Sequence, residues 1–244
     1  MHVRARSPVF SIPGFGDPLS AATHLAGAFV FARLGVSLVR QKRGEFLHTM
    51  SLVVFASSCV LLLSMSGLYH LWSPEDAFRG VLRRLDHAAI FVLIAGSFTP
   101  VHAILFRGPW RWGMLAGIWA VAIAGLTFKT LYFTAIPEGF GLAFYLGFGW
   151  LGLATWIALV RRFGFQFARP VLWGALAYTF GALTDFLRWP VLVPGIVGPH
   201  ELFHLAVLAG IAFHWKFIHS FASREIPISS RGGLTGYSPP VATA

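Results

Sequence analysis

Residues 47–72 read LHTMSLVVFASSCVLLLSMSGLYHLW, a run without a single Asp, Glu, Lys or Arg. This run predicts a helix that crosses a membrane, because about 20 apolar residues span a hydrocarbon core with every backbone hydrogen bond satisfied inside the helix. The whole chain shares the bias, with 56% hydrophobic and 11% charged residues, whereas soluble domains carry roughly 25% charged residues. A soluble fold would have too few charges to cover its surface, so we expect an integral membrane protein.

Six further apolar runs, separated by charged residues, proline and glycine, have comparable length. Together with the first they predict seven transmembrane helices: Ala21–Val39, Leu47–Trp72, Leu85–Phe106, Trp112–Phe133, Phe140–Val160, Val171–Trp189 and His200–Phe221. The expected fold is therefore an all-α membrane bundle of seven helices over residues 18–222. We expect an N-terminal tail over residues 1–17 without a cleaved signal peptide, and a flexible C-terminal tail over residues 223–244.

The charge of the chain is consistent with a membrane setting. The net charge of +10 lies on loops and helix ends beside the apolar runs, where basic residues meet anionic headgroups. We therefore expect membrane lipids as partners and no nucleic acid. The single cysteine, Cys59, excludes an intrachain disulfide and is interpreted as a small hydrophobic core residue.

The odd number of predicted spans decides which polar segments share a membrane face. The end of the second span, the start of the third and the start of the seventh lie on the same side as the N-terminus. At these places the sequence has Ser66–His70, Arg84–His87 and His200–His204. Three separate segments thus place potential metal ligands at the same depth in the membrane. The spans are assigned from apolar residues alone, so this agreement is independent of the polar residues.

The histidines in these segments have the spacing of a metal site. His200 and His204 are four residues apart, so they share one helix face and can direct both imidazoles at one ion. Together with His70 they would form the three-histidine set of a catalytic zinc, with Asp86 orienting or deprotonating water and Ser66 hydrogen-bonded nearby. The alternative is that these histidines contact headgroups or cap helix ends, since the spacing also arises by chance.

Five short motifs in a fixed order carry a resemblance to a known family: Thr23-His24-x-x-Gly27, Ser66-x-x-x-His70, Arg84-Leu85-Asp86-His87, Gly96-Ser97-Phe98-Thr99-Pro100 and His200-Glu201-x-x-His204. Over residues 17–221 the chain resembles the hemolysin III family, the bacterial branch of the progestin and adipoQ receptor superfamily. The resemblance implies a seven-helix fold that holds zinc through His70, His200 and His204, with Asp86 and Ser66 close by.

The same resemblance implies a zinc-dependent hydrolase of a lipid amide or acyl bond, similar to ceramidases, that takes part in membrane-lipid homeostasis in a bacterial inner membrane. The alternative is a non-catalytic protein that perturbs membranes, as a hemolysin or pore former, or that signals as a receptor. The numbers of Lys and Arg in the loops weakly favour an external N-terminus. The resemblance implies a cytoplasmic N-terminus with the zinc on that side, and we follow the resemblance.

One position departs from the family pattern. Where the sixth helix of the family usually has a tyrosine, this chain has Asp185 in the segment Gly181–Arg188. We interpret Asp185 and Arg188, three residues apart, as an ion pair at the helix end. The alternative is that Asp185 alters the substrate or metal preference of the site. The remaining histidines of the helices are expected to pack, to cap or to lie at the interface: His24, His87, His102, His214 and His219.

Overall fold

The structure is a computed structural model that describes residues 16–41, 45–73 and 75–222. These residues form eight helices and no β-strand, apart from one isolated bridge between Val193 and Val197. The helices are α1 (Pro18–Gln41), α2 (Phe46–Leu71), α3 (Arg79–Leu105), α4 (Pro109–Leu131), α5 (Glu138–Trp150), α6 (Gly152–Phe163), α7 (Phe165–Leu187) and α8 (Pro199–Ala222). The all-α prediction is confirmed, and of the two predicted tails only Gly16 and Asp17 lie within the described residues.

Six helical stretches of the described residues are long and apolar enough to cross a membrane: Pro18–Arg40, Phe46–Leu71, Arg79–Leu105, Pro109–Leu131, Glu138–Phe163 and Pro199–Ala222. The fifth of them comprises α5 and α6, which are separated by Leu151 with helical φ of −56° and ψ of −23°. The sixth predicted span, Val171–Trp189, overlaps α7. This helix is long enough but is not among the six apolar stretches, so the structure supports a membrane bundle without fixing seven spans.

The starts of α3 and α7 differ most from the predicted bounds. Helix α3 begins at Arg79 and α7 at Phe165, each six residues before the predicted start, at Leu85 and Val171. A search for apolar runs places a boundary where charge begins, whereas the backbone continues as a helix through charged residues at the interface. Arg83 and Asp86 therefore lie on one helix face rather than in a loop.

The helices pack in chain order around a core that is centred on α2. This helix lies between α1 and α3, α4 packs on α3, and α8 packs on both α1 and α7. Close approach needs small residues, because a Cβ at Gly96 would collide with Ser58 of the neighbouring helix. Large apolar side chains such as Phe29 and Leu131 remain exposed on the outside, as a lipid-facing surface requires.

Alternating helix directions bring the polar segments to one end of the bundle. The starts of α1, α3, α5 and α8 lie there together with the ends of α2, α4 and α7. We call this end the site face. One contact that joins these segments is the hydrogen bond from the backbone N–H of Asp17 to the carbonyl of His70, at 2.8 Å.

Candidate metal centre

Three imidazoles converge at the site face. His70 comes from the last turn of α2, and His200 and His204 come from the first two turns of α8. The Nε2 atom of His200 lies 3.3 Å from that of His70 and 3.2 Å from that of His204. All three ligand atoms lie within 4.8 Å of one another, so this group could hold a metal ion. The predicted convergence of these three residues is confirmed.

The ring of His200 is oriented by a carboxylate on α7. Asp185 Oδ1 lies 3.0 Å from His200 Nδ1, within hydrogen-bonding distance. A carboxylate accepts but does not donate, so we place the His200 proton on Nδ1, which leaves the Nε2 lone pair directed at the other two histidines. In known metal sites an outer carboxylate fixes the tautomer of a histidine ligand in this way.

Arg188 forms its salt bridge with a different residue from the one predicted from the sequence. Its guanidinium Nη2 lies 3.1 Å from Glu138 Oε1 at the start of α5. Asp185 instead faces His200. The salt bridge of Arg188 therefore joins the end of α7 to α5 beside the site, and Asp185 belongs to the site.

Asp17 is a second carboxylate near the site, which the sequence does not predict because Asp17 falls in the predicted tail. Its Oδ2 lies 3.6 Å from His70 Nδ1, and its Oδ1 accepts a hydrogen bond from the backbone N–H of Ser20 at 3.2 Å. The usable signal was the sequence Asp17-Pro18, because Asp is a preferred helix N-cap and Pro a preferred first helical residue. Asp17 thus caps α1 and lies beside a candidate ligand.

His24 packs on the second histidine of α8, and Glu201 caps the start of the same helix. The buried ring of His24 packs on that of His204, with 3.9 Å between centroids, and its Nε2 lies 3.3 Å from the His204 carbonyl oxygen. Glu201 accepts a hydrogen bond from the backbone N–H of Gly198 at 2.7 Å and so caps the first turn of α8. His24 packs as expected, although it packs directly on a candidate metal ligand.

Asp86 and Ser66 lie together beside the histidines. Both residues line the same cavity as His70. Ser66 is buried one helical turn before His70 on α2, whereas the Asp86 side chain remains 15% exposed. The structure therefore brings together all five residues that the sequence singled out.

A cavity of about 370 Å³ extends from this group into the bundle. Along α8 its lining runs from His200 to His214, which corresponds to about 21 Å at 1.5 Å per residue. Its deeper wall is mainly apolar and includes Leu62, Leu93, Val101, Leu159, Val171 and Val207. One leaflet of a hydrocarbon core is about 15 Å deep, so the cavity is long enough for a lipid chain.

Three other histidines form hydrogen bonds away from the cluster. His87 Nδ1 lies 2.8 Å from the Arg83 carbonyl of its own helix, and His214 Nδ1 lies 3.0 Å from the carbonyl of Gly210. His102 Nε2 lies 3.0 Å from Thr155 Oγ1 near the opposite face. These contacts confirm the packing and capping roles expected for these histidines.

By its fold and site, this protein is an all-helical membrane bundle. It has a three-histidine group at one face and an apolar cavity behind that group. The sequence profile of the haemolysin-III related family matches residues 16–215. The chain is 32% identical over 196 residues to Hemolysin-3 of Bacillus cereus, an alignment that covers 79% of this chain and 85% of the relative. It is 28% identical over 195 residues to the Hemolysin-3 homolog of Bacillus subtilis (strain 168), covering 79% and 88%.

This chain belongs to the haemolysin-III related family, since the profile spans most of its length and includes all three histidines.

Proposed function

We propose that this protein is a zinc-dependent membrane hydrolase that cleaves an amide or related acyl bond of a membrane lipid. The observation that carries this proposal is the position of three convergent imidazoles, with Asp86 and Ser66, at the polar end of a long apolar cavity. A lipid has the same order of parts, with a polar linkage followed by an apolar chain. The proposed role is in membrane-lipid homeostasis.

Zinc suits the donor set. Two Zn–N bonds of about 2.05 Å at a tetrahedral angle place their nitrogens about 3.3 Å apart. The two separations that involve His200 are 3.3 and 3.2 Å, and all three ligand atoms lie within 4.8 Å of one another. Three protein ligands leave one position open, as catalytic sites do, whereas structural sites are usually closed by four. Zinc supplies Lewis-acid chemistry, because it activates water near neutral pH and polarises a carbonyl.

The residues around the histidines would divide the remaining work. Asp185 and Glu138 also line the cavity but contact His200 and Arg188. Asp86 would therefore accept the proton of the attacking water and return it to the leaving amine or alcohol. The buried Ser66 hydroxyl, which lines the same cavity, would help to hold Asp86 in position. The apolar wall of the cavity would hold the acyl chain and exclude bulk water from the carbonyl.

We further propose that the bundle crosses a bacterial inner membrane seven times. α5 and α6 would form one span, since only Leu151 separates them, and α7 would be the remaining span despite its lower hydropathy. The 23 residues of α7 correspond to about 35 Å of helix, enough to cross a hydrocarbon core of about 30 Å. The site face would be cytoplasmic, and cysteine-accessibility labels on the two tails would test this orientation.

A second candidate function follows from the names of the two relatives, both of which refer to hemolysin. In this alternative the protein perturbs membranes, or signals as a receptor, without cleaving a lipid. Lipid hydrolysis and dye leakage from vesicles, measured on one purified sample, separate the two. Leakage without turnover of any lipid in a broad panel would favour the non-catalytic function.

The variant Asp86→Asn gives the sharpest test of the hydrolase. It keeps the shape of the side chain and removes the base, so zinc content should remain near that of the wild type. Turnover should fall by roughly 10²–10⁴-fold, the usual contribution of a general base. Equal turnover of a lipid amide by wild type and variant at matched zinc content would remove Asp86 from the mechanism.

A further inference from the structure

Three cations surround one aromatic ring at the site face. The ammonium of Lys129 lies 4.8 Å from the centroid of the Phe133 ring, and the guanidinium carbon atoms of Arg83 and Arg84 lie 4.9 and 6.0 Å from it. We call Arg83, Arg84 and Lys129 the cation cluster. Three like charges around one neutral ring repel one another, so an anion between them would be strongly favoured.

Lys129 is the decisive member of the cluster. It stands in the last turn of α4, yet it is only 9% exposed and lines the cavity. A lysine that merely reached for headgroups would extend outward along the helix surface. Its ammonium instead lies beneath α5, where a Cβ added at Gly141 would be 3.3 Å from Nζ. Within the described part of the chain, no hydrogen bond or salt bridge reaches this ammonium.

The nearby carboxylates have other partners. Glu138 forms a salt bridge with Arg188 at 3.1 Å. Asp86 Oδ2 lies 3.6 Å from His87 Nδ1. Across residues 16–41, 45–73 and 75–222, no carboxylate lies within salt-bridge distance of the cation cluster. The cluster therefore has no salt-bridge partner among the described residues, and Glu138 and Asp86 act on Lys129 and Arg83 only from a longer distance.

The cluster is placed to hold the outer end of whatever fills the cavity. Arg83 precedes Asp86 by three residues on α3, so both lie on one helix face with Arg83 nearly one turn further out. Arg83 and Lys129 line the cavity together with the apolar wall, whereas Arg84 is held by a 3.2 Å hydrogen bond from Nη1 to the Thr130 carbonyl. Arginine and lysine are the side chains that bind phosphate oxygens.

We propose that the cation cluster binds the phosphate of a phosphate-bearing lipid whose chain occupies the cavity. That this lipid is the substrate rests on the proposed hydrolase function, whereas its binding to the cation cluster does not. The phosphate would lie between Arg83 and Lys129, about one helical turn outside Asp86. A buried, unpaired lysine is costly, and the phosphate would remove that cost.

The test compares two probes that differ only in the phosphate: a lysophosphatidic acid and a monoacylglycerol with the same fluorescently labelled chain. The full-length wild type in neutral detergent should bind the phosphate probe at least tenfold more tightly, as measured by fluorescence anisotropy. Lys129→Met should weaken that binding by roughly 10- to 100-fold, the range of one hydrogen bond to a charged group. The same variant should leave the affinity for the neutral probe unchanged.

The matched control is Arg79→Gln, which removes a charge at the same face. Arg79 packs on the ring of Tyr69 at 4.7 Å and does not line the cavity, so its substitution should leave the preference intact. Lys129→Arg should retain most of it, and Arg83→Gln should reduce it. Arg83→Gln thus provides a second test if Lys129→Met does not fold.

Equal affinity of the wild type for the two probes would overturn the proposal, as would equal losses in Lys129→Met and Arg79→Gln. Complete displacement of the phosphate probe by inorganic phosphate, at the concentration of the probe itself, would show a site for free phosphate instead of a lipid. His204→Ala should keep the phosphate preference. A preference without hydrolysis by any form of the protein would therefore refute the hydrolase function alone.

Discussion

Replacing Asp185 by Asn tests whether this carboxylate supports the proposed metal ligand His200. Asp185 Oδ1 lies 3.0 Å from His200 Nδ1. Asn can still accept that hydrogen bond through its carbonyl oxygen, so the variant isolates the carboxylate charge. Outer carboxylate partners of this kind typically contribute 10–100-fold to metal affinity. At 1.4 kcal/mol per tenfold change, the expected loss is about 1.4–2.8 kcal/mol of zinc binding.

The measurement is a zinc competition titration against a chromogenic chelator, with purified protein in detergent. Glu138→Gln is the matched control, because it removes another carboxylate of the site face that contacts Arg188 and not a histidine. It should leave the zinc affinity within about twofold of the wild type. Asp17→Asn should have an intermediate effect, since Asp17 Oδ2 lies 3.6 Å from His70 Nδ1, beyond an ordinary hydrogen bond.

Two results would refute this reasoning. An unchanged zinc affinity in Asp185→Asn would show that the carboxylate does not support His200. An equal loss in Glu138→Gln would show that the effect arises from the general charge of the site face. Because the family usually has a tyrosine here, Asp185→Tyr extends the series. It should also bind zinc more weakly than the wild type, since a phenol is a poorer acceptor than a carboxylate.

Two further predictions concern the ligands and the packing. Elemental analysis should show that His204→Ala loses most of its zinc. The control His87→Gln should retain its zinc, because His87 bonds to the Arg83 carbonyl of its own helix at 2.8 Å. Equal zinc content in both variants would contradict the proposed ligand set. Gly125→Ala should destabilise the protein by about 1–3 kcal/mol, because its Cβ would collide with the Phe91 ring, while Gly117→Ala on the same helix meets nothing within 4 Å and should be neutral or slightly stabilising. The midpoints of thermal unfolding in detergent compare these two variants, and equal midpoints would refute the packing argument.

The sequence predicted the position of the histidines because helix direction follows from counting apolar runs. His70, His200 and His204 meet because their helices end or begin at the same face, and this required no knowledge of side-chain contacts. The same reasoning brought Asp86 and Ser66 to the site. Apolar runs are long-range signals that no single substitution removes, so this part of the fold was predictable.

The partners of the site were less predictable, because they depend on contacts between distant helices. Asp185 was assigned to Arg188 on the basis of local spacing. The structure pairs Arg188 with Glu138, which is 50 residues away in sequence. Asp17 escaped notice because a search for apolar runs excludes the polar residue that caps a helix. The cavity was also beyond sequence reasoning, since it depends on how closely α5, α6 and α7 approach the remaining helices.

One face of α3 carries residues of both the proposed catalytic site and the proposed phosphate site. Its cavity-lining residues recur every three or four positions, as one helix face requires: Arg83, Asp86, His87, Ile90, Leu93, Ile94, Ser97, Phe98 and Val101. Arg83, Asp86 and His87 lie at the outer end of the stripe, and the deeper side chains are aliphatic or aromatic apart from Ser97. A phosphate-bearing lipid has the same order of groups, from its headgroup through its acyl linkage to its chain. The stripe emerges only when α3 begins at Arg79, because a helix that began at Leu85 would leave Arg83 in a loop, separated from the face that carries Asp86.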